Sequence, residues 1–183
     1  MSGHGHVDAS NKRVALLISI LALFLALSET LGKAAQTNAL DKNIEASNLW
    51  NFFQAKTIRM TVLRTTADEV QLDAQHASNE TSIRQIKKWR DDAARYNDEP
   101  ETGEGRKQLA ARAKKAEEAR DRAMAAYHQF ELGSAAIQIA IVLASASIIV
   151  AMSALLWAAL GLGLVGVGFT LLGLVAPTAV HLL

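Results

Sequence analysis

From Leu132 to Leu183 the chain contains no Asp, Glu, Lys or Arg. That stretch is long enough for two membrane crossings, since a helix needs roughly 20 apolar residues to cross about 30 Å of hydrocarbon. Averages hide the division: 20% charged residues and a formal net charge of +1 describe a polar first part joined to a lipid-compatible last part. The two signs are interspersed, so there is no basic stripe for nucleic acid, and no nucleic-acid partner is expected. The absence of Cys removes disulfides, thiolate metal sites and cysteine nucleophiles. With only two prolines and little strand-like alternation, the fold expected is an all-α membrane protein. It would have one N-terminal transmembrane helix, a helical, coiled-coil-like polar domain and a C-terminal transmembrane helical hairpin.

Residues 1–13 read as a disordered tail and 14–31 as the first transmembrane helix. The run from Val14 to Leu27 holds one polar residue, Ser19, and Leu31 extends it past Ser28, Glu29 and Thr30. Ser-Glu-Thr-Leu-Gly-Lys follows where a signal peptide would need small residues for cleavage, which favours a retained anchor. Ser2-Gly3-His4 could wrap a square-planar cation once Met1 is removed. A plain tail is the simpler reading, and no cofactor or metal site is expected.

Residues 32–131 form the polar domain. Proline and two glycines in the run from Asn97 to Gly105 place a hairpin tip at 97–105. Beyond it Leu109, Ala113, Ala116, Arg120, Ala123, Tyr127 and Phe130 follow the 4-3 spacing of a coiled-coil seam. The seam is mostly alanine, so its partner must come close and bring larger side chains. Ile86, Trp89, Ala93 and Tyr96, at 3-4-3 spacing before the tip, are the expected antiparallel partner. Ser82, with Gln85 three residues on, is the expected N-cap of that helix, and the outward arm must break between 65 and 82 or lie along the membrane. Trp50, Phe52 and Phe53 mark a helix with apolar positions on more than one face, fit for a buried bundle or an interfacial contact.

Two segments, Ser28-Glu-Thr-Leu-Gly-Lys-Ala-Ala-Gln-Thr37 and Ser47-Asn-Leu-Trp-Asn-Phe-Phe-Gln-Ala-Lys-Thr-Ile-Arg59, follow the N-terminal span. Together they resemble a family of short bacterial membrane proteins, domain of unknown function 4337. The resemblance implies a bacterial membrane protein. It carries no activity and no functional residue.

The second and third transmembrane helices are expected at 132–160 and 163–183, with a turn near Gly161-Leu-Gly163. Ala140, Ala144, Ser147, Ala151, Ala154 and Ala158 make one small-residue ridge; Gly163, Gly166, Thr170, Gly173 and Pro177 make another. In lipid, close approach along such ridges holds helices together, so the two should face each other. Gly161-x-Gly-x-x-Gly-x-Gly168 is not read as a nucleotide loop, because that motif needs a preceding strand and an exposed helix N-terminus.

HExxH, GxSxG and Walker patterns are missing, and His76 and His128 are too far apart in sequence to imply a shared metal. Lys33, Lys42, Lys114, Lys115, Arg120 and Arg122 outnumber Lys12 and Arg13, which puts the polar domain on the cytoplasmic side of a bacterial inner membrane. The expected function is a self-assembling scaffold or interaction protein without catalytic activity. The alternative is an oligomeric channel or transporter component whose pore is lined by the C-terminal spans. Expected partners are the lipid bilayer, further copies of the chain and an unidentified protein. The residues expected to carry interaction are Trp50, Phe52, Phe53, Ala113, Ala116, Tyr127, Ala144, Ala151, Gly166 and Gly173.

Overall fold

A computed structural model describes residues 9–73 and 79–179. Among them are four α-helices: α1 (Ala9–Leu72), α2 (Glu80–Asn97), α3 (Arg106–Val150) and α4 (Ser153–Val175). α1, α3 and α4 are long and apolar enough to cross a membrane. α1 is continuous for 64 residues, about 96 Å at 1.5 Å per residue. It begins four residues before the expected end of the tail, because extending an existing helix is far cheaper than nucleating one. The tail tripeptide Ser2-Gly3-His4 and His76 lie outside the described residues.

The chain divides into two units, one made of residues up to Ala39 together with those from Asp121, the other of Leu40–Arg120. In the second unit α1 has its other helices antiparallel to it, one after the other. On α2, Arg90 bonds Asp68 at 3.0 Å and also Gln71, and the ring of Tyr96 lies under the Lys56 ammonium. On α3, Arg106 bonds Thr57 at 2.8 Å, Trp50 bonds Glu117, and Arg120 bonds Asn43. Numbers therefore rise along α2 and α3 as they fall along α1. Residues 98–105 do turn the chain, but they join two helices that run the same way and are not a hairpin tip. The expected pairing of α2 with α3 is corrected accordingly: the alanine seam packs on α1, where Leu109, Ala113 and Ala116 meet Ala46, Leu49, Trp50 and Phe53. Small residues did need large partners; α1 supplied them.

Asn79, not Ser82, caps α2. Its extended backbone lets the side-chain oxygen accept from the Thr81 N–H at 2.9 Å. Asn caps as well as Ser, and it comes first. In the 98–105 turn Gly103 has φ +69°, a left-handed conformation that glycine adopts freely. A β-carbon at Gly105 would collide with the Glu99 amide nitrogen and the Gln108 side chain.

In the first unit the start of α1 packs with the end of α3 and with α4. Each step of three or four along α3 is matched by an equal step back along α4: Phe130 faces Gly173, Gly133 faces Thr170, Ile137 faces Gly166 and Ala140 faces Gly163. That register centres the turn on the bond between Ala151 and Met152, where α3 ends and α4 begins. The expected turn at Gly161-Leu-Gly163, and with it the inner bounds of the last two spans at 160 and 163, are corrected. The glycines are used for close approach rather than for turning. The turn instead uses Ala151 at φ 54°, a conformation that costs an L-residue about 1 kcal/mol.

Candidate functional site

Trp50 and Phe53 pack edge to face, with ring centroids 5.4 Å apart. Both are partly buried, and the Trp50 indole N–H donates to Glu117 Oε1 at 2.8 Å. Phe53 is also covered by the Arg106 guanidinium at 4.8 Å. Arg106 Nε donates to Thr57 Oγ1, which donates in turn to the Phe53 carbonyl at 2.7 Å. Trp50, Phe53, Ala113 and Ala116 thus meet one another inside the second unit. Phe52 stands at its edge, beside Lys56.

Lys56 is only 6% exposed although it carries a charge. Its ammonium lies 5.1 Å from the Tyr96 ring centroid and 5.4 Å from that of Phe52, and pairs with Glu99 at 3.5 Å and Glu104 at 3.8 Å. A buried cation needs such compensation, because burial alone would cost several kcal/mol. The periodicity of the sequence gives no sign of it: Lys56 occupies a position that would otherwise read as core.

In the first unit, Ala144 is fully buried with Val14 and Ala159. Gly166 and Gly173 are buried as well. A β-carbon at Gly166 would lie 2.8 Å from the Gly133 carbonyl oxygen and 3.1 Å from the Ile137 nitrogen; one at Gly173 would strike the Phe130 ring. Of the α3 ridge, Ala140, Ala144 and Ser147 are buried, whereas Ala151 and Ala154 are exposed past the end of α3. The α4 ridge stays buried from Ala159 to Gly173.

Three hydroxyl and carbonyl groups tie this unit together in a chain that periodicity did not reveal. Thr170 Oγ1 on α4 donates to Ser28 Oγ on α1 at 3.1 Å, and Ser28 donates to the Phe130 carbonyl on α3 at 3.0 Å. Ser28 is fully buried and Thr170 nearly so. Since Ser28 holds the Phe130 carbonyl, Ser134 loses the acceptor one turn back that a helical serine ordinarily uses. Ser19, Thr30, Thr57 and Ser145 all bond their carbonyl four residues back, at 2.7–3.0 Å. The Ser134 hydroxyl is buried with no hydrogen-bond partner among the described residues.

Beside Ser134 an open cleft of about 430 Å³ lies between α1 and α3. Glu29, Lys33, Tyr127, Glu131 and Gln138 border it. Gln138 Nε2 donates to Glu29 Oε1 at 3.2 Å, and Glu131 lies 3.8 Å from His128. Tyr127, expected on the coiled-coil seam, belongs to this cleft. No group of His, Asp and Glu side chains among the described residues has the proximity to hold a metal ion.

Comparison with curated proteins and with solved structures gives no match. A family model does match, over residues 10–176, which takes in the whole of α2, α3 and α4 and all but the first residue of α1. The chain belongs to that family, described as a domain of unknown function (DUF4337).

Proposed function

We propose that the chain is a membrane-anchored helical scaffold that assembles with copies of itself and has no catalytic activity. The first part of α1, the last part of α3 and α4 cross the bilayer, the latter two as a hairpin. The segment between them is a coiled-coil-like polar domain. The excess of Lys and Arg near the spans on that side supports a cytoplasmic position at a bacterial inner membrane.

One observation carries the self-assembly: apolar side chains left open on one face of α1 in the second unit, in two pairs with exposed Asn51 between them. Leu40, Ile44, Ile58 and Val62 are 57–64% exposed. Their spacings are close to whole turns of helix, so they share one face. That face lies opposite Ala46, Leu49, Lys56, Met60 and Ala67, the α1 positions buried within the unit. Apolar faces in a polar segment mark contact surfaces. The pore alternative is less well supported, because Ser145, Ser147 and Thr170 each bond inside the bundle and leave little polar lining.

The chain has no Cys, so a single introduced one reports contacts cleanly. Ile44→Cys in native membranes should form a disulfide-linked dimer under mild oxidation, while Glu101→Cys, exposed in the 98–105 turn, should not. Equal cross-linking of the two would remove that face as the assembly surface.

A further inference from the structure

The cleft between α1 and α3 lies where both helices change character. Glu29 is the first charge after the apolar run that starts at Val14, and Glu131 is the last charge before the charge-free stretch. In an inserted chain this level is that of the lipid headgroups, where tyrosine is also favoured. Tyr127 borders the cleft there.

The charges are mixed. Two carboxylates, Glu29 on α1 and Glu131 on α3, border it together with one ammonium, Lys33, one turn along α1 from Glu29. Lys33 has no hydrogen-bond or ion-pair partner among the described residues. Glu29 accepts one hydrogen bond, from Gln138, and keeps lone pairs for more donors. Ser134 also borders the cleft, and its hydroxyl is buried without a hydrogen-bond partner among the described residues. A buried hydroxyl of this kind calls for a partner, from water or from a ligand.

We propose that this cleft binds the headgroup of a phospholipid carrying a primary amine. The ammonium of an ethanolamine headgroup donates to Glu29 and Glu131, and its phosphate accepts from Lys33 and, after rotation about one side-chain bond, from Ser134. A choline headgroup has no N–H to give the carboxylates. A glycerol headgroup brings the phosphate charge without a cation to set against the carboxylates. Discrimination therefore comes from the amine. The proposal rests on membrane insertion and is independent of self-assembly.

Native mass spectrometry of the detergent-solubilised full chain tests it, with ethanolamine, choline and glycerol phospholipids of identical acyl chains. The ethanolamine lipid should be retained about tenfold better than either of the others, the effect of roughly one well-placed charge-assisted contact. Glu29→Gln combined with Glu131→Gln should erase that preference while the helical circular dichroism and melting temperature stay those of the parent. Lys33→Met should lower retention of the ethanolamine lipid. Equal retention of the three lipids, or preference for the glycerol lipid, overturns the proposal. So does glycerophosphoethanolamine, the same headgroup without chains, binding as tightly as the lipid, because the ligand would then be a soluble molecule. Flotation with liposomes separates the two readings: a chain that fails to float contradicts insertion, and a floating chain without lipid preference contradicts the cleft alone.

Discussion

The hydroxyls of Thr170 and Ser28 lie 3.1 Å apart, buried, with Ser28 passing its own hydrogen to the Phe130 carbonyl. One short relay thereby joins α4, α1 and α3. Thr170 has a second acceptor, the Gly166 carbonyl 3.0 Å away, so its proton retains a partner when Ser28 is lost. Ser28→Ala should therefore cost little, and Thr170→Val, which keeps the shape, should cost about 1 kcal/mol. The coupling between them in a double-mutant cycle should be about 0.6 kcal/mol, the usual value for interhelical hydrogen bonds within membranes. Reversible unfolding of the single and double variants in bicelles gives all three numbers. Strict additivity would mean that the relay does not hold the helices.

Gly166 and Gly168 are close in sequence and opposite in role. At Gly166 a methyl group meets backbone atoms of α3, which cannot move aside as a flexible side chain would. Gly166→Ala should destabilise by about 1–3 kcal/mol, the range for overpacking. At Gly168 a methyl group meets nothing within 4 Å. Gly168→Ala should be neutral or stabilise by up to about 1 kcal/mol through helix propensity. Thermal unfolding in a single detergent compares the two, and similar behaviour would contradict the close contact of α3 with α4.

Ala151 holds φ 54° at the turn between α3 and α4. Glycine relieves that conformation, so Ala151→Gly should stabilise the hairpin by roughly 0.5–1 kcal/mol, less whatever freedom glycine adds to the unfolded chain. The same change at Ala140, which is fully buried mid-helix, should destabilise by about 1 kcal/mol or more. A rise in melting temperature for the first variant and a fall for the second is the expected pair of results.

The Asp98 carboxyl is held below the usual carboxylate range, first by the hydrogen bond from Lys107 and then by that from Gln108. Its folded value lies below its unfolded one, so its contribution is complete above about pH 4, the unfolded range. It is lost as pH falls through the lowered folded value. The 98–105 turn should thus loosen in acid and stay intact at neutral pH. Proton titration of Asp98 by NMR should give a midpoint below that of a free aspartate. Lys107→Met should move it upward, because the charged donor is gone; an unchanged midpoint would show that the ion pair does not form in solution.

Much of the membrane-compatible part was legible beforehand. The small-residue ridge from Gly163 to Gly173 follows helical spacing, and spacing alone places those residues on one face. The turn at Ala151 was not legible, since no glycine or proline marks it and the conspicuous glycines lie ten residues further on, where they serve contact. The alanine seam announced that a large-residue partner was needed. Two helices could supply one, and the contacts of Leu109, Ala113 and Ala116 with Leu49, Trp50 and Phe53 show that α1 does. The relay through Ser28 and the unpartnered Ser134 depend on which residues of different helices stand at one level. Periodicity along a single helix carries no such information.

Self-association is the central claim, and mass is its most direct test. One chain is 19.7 kDa. Mass photometry of the full chain in nanodiscs should give a discrete multiple of that mass beyond the disc itself. Ile44→Glu combined with Ile58→Glu should reduce it to a single copy while leaving the chain helical. A strictly single copy for the unmodified chain across its working concentrations would contradict the account.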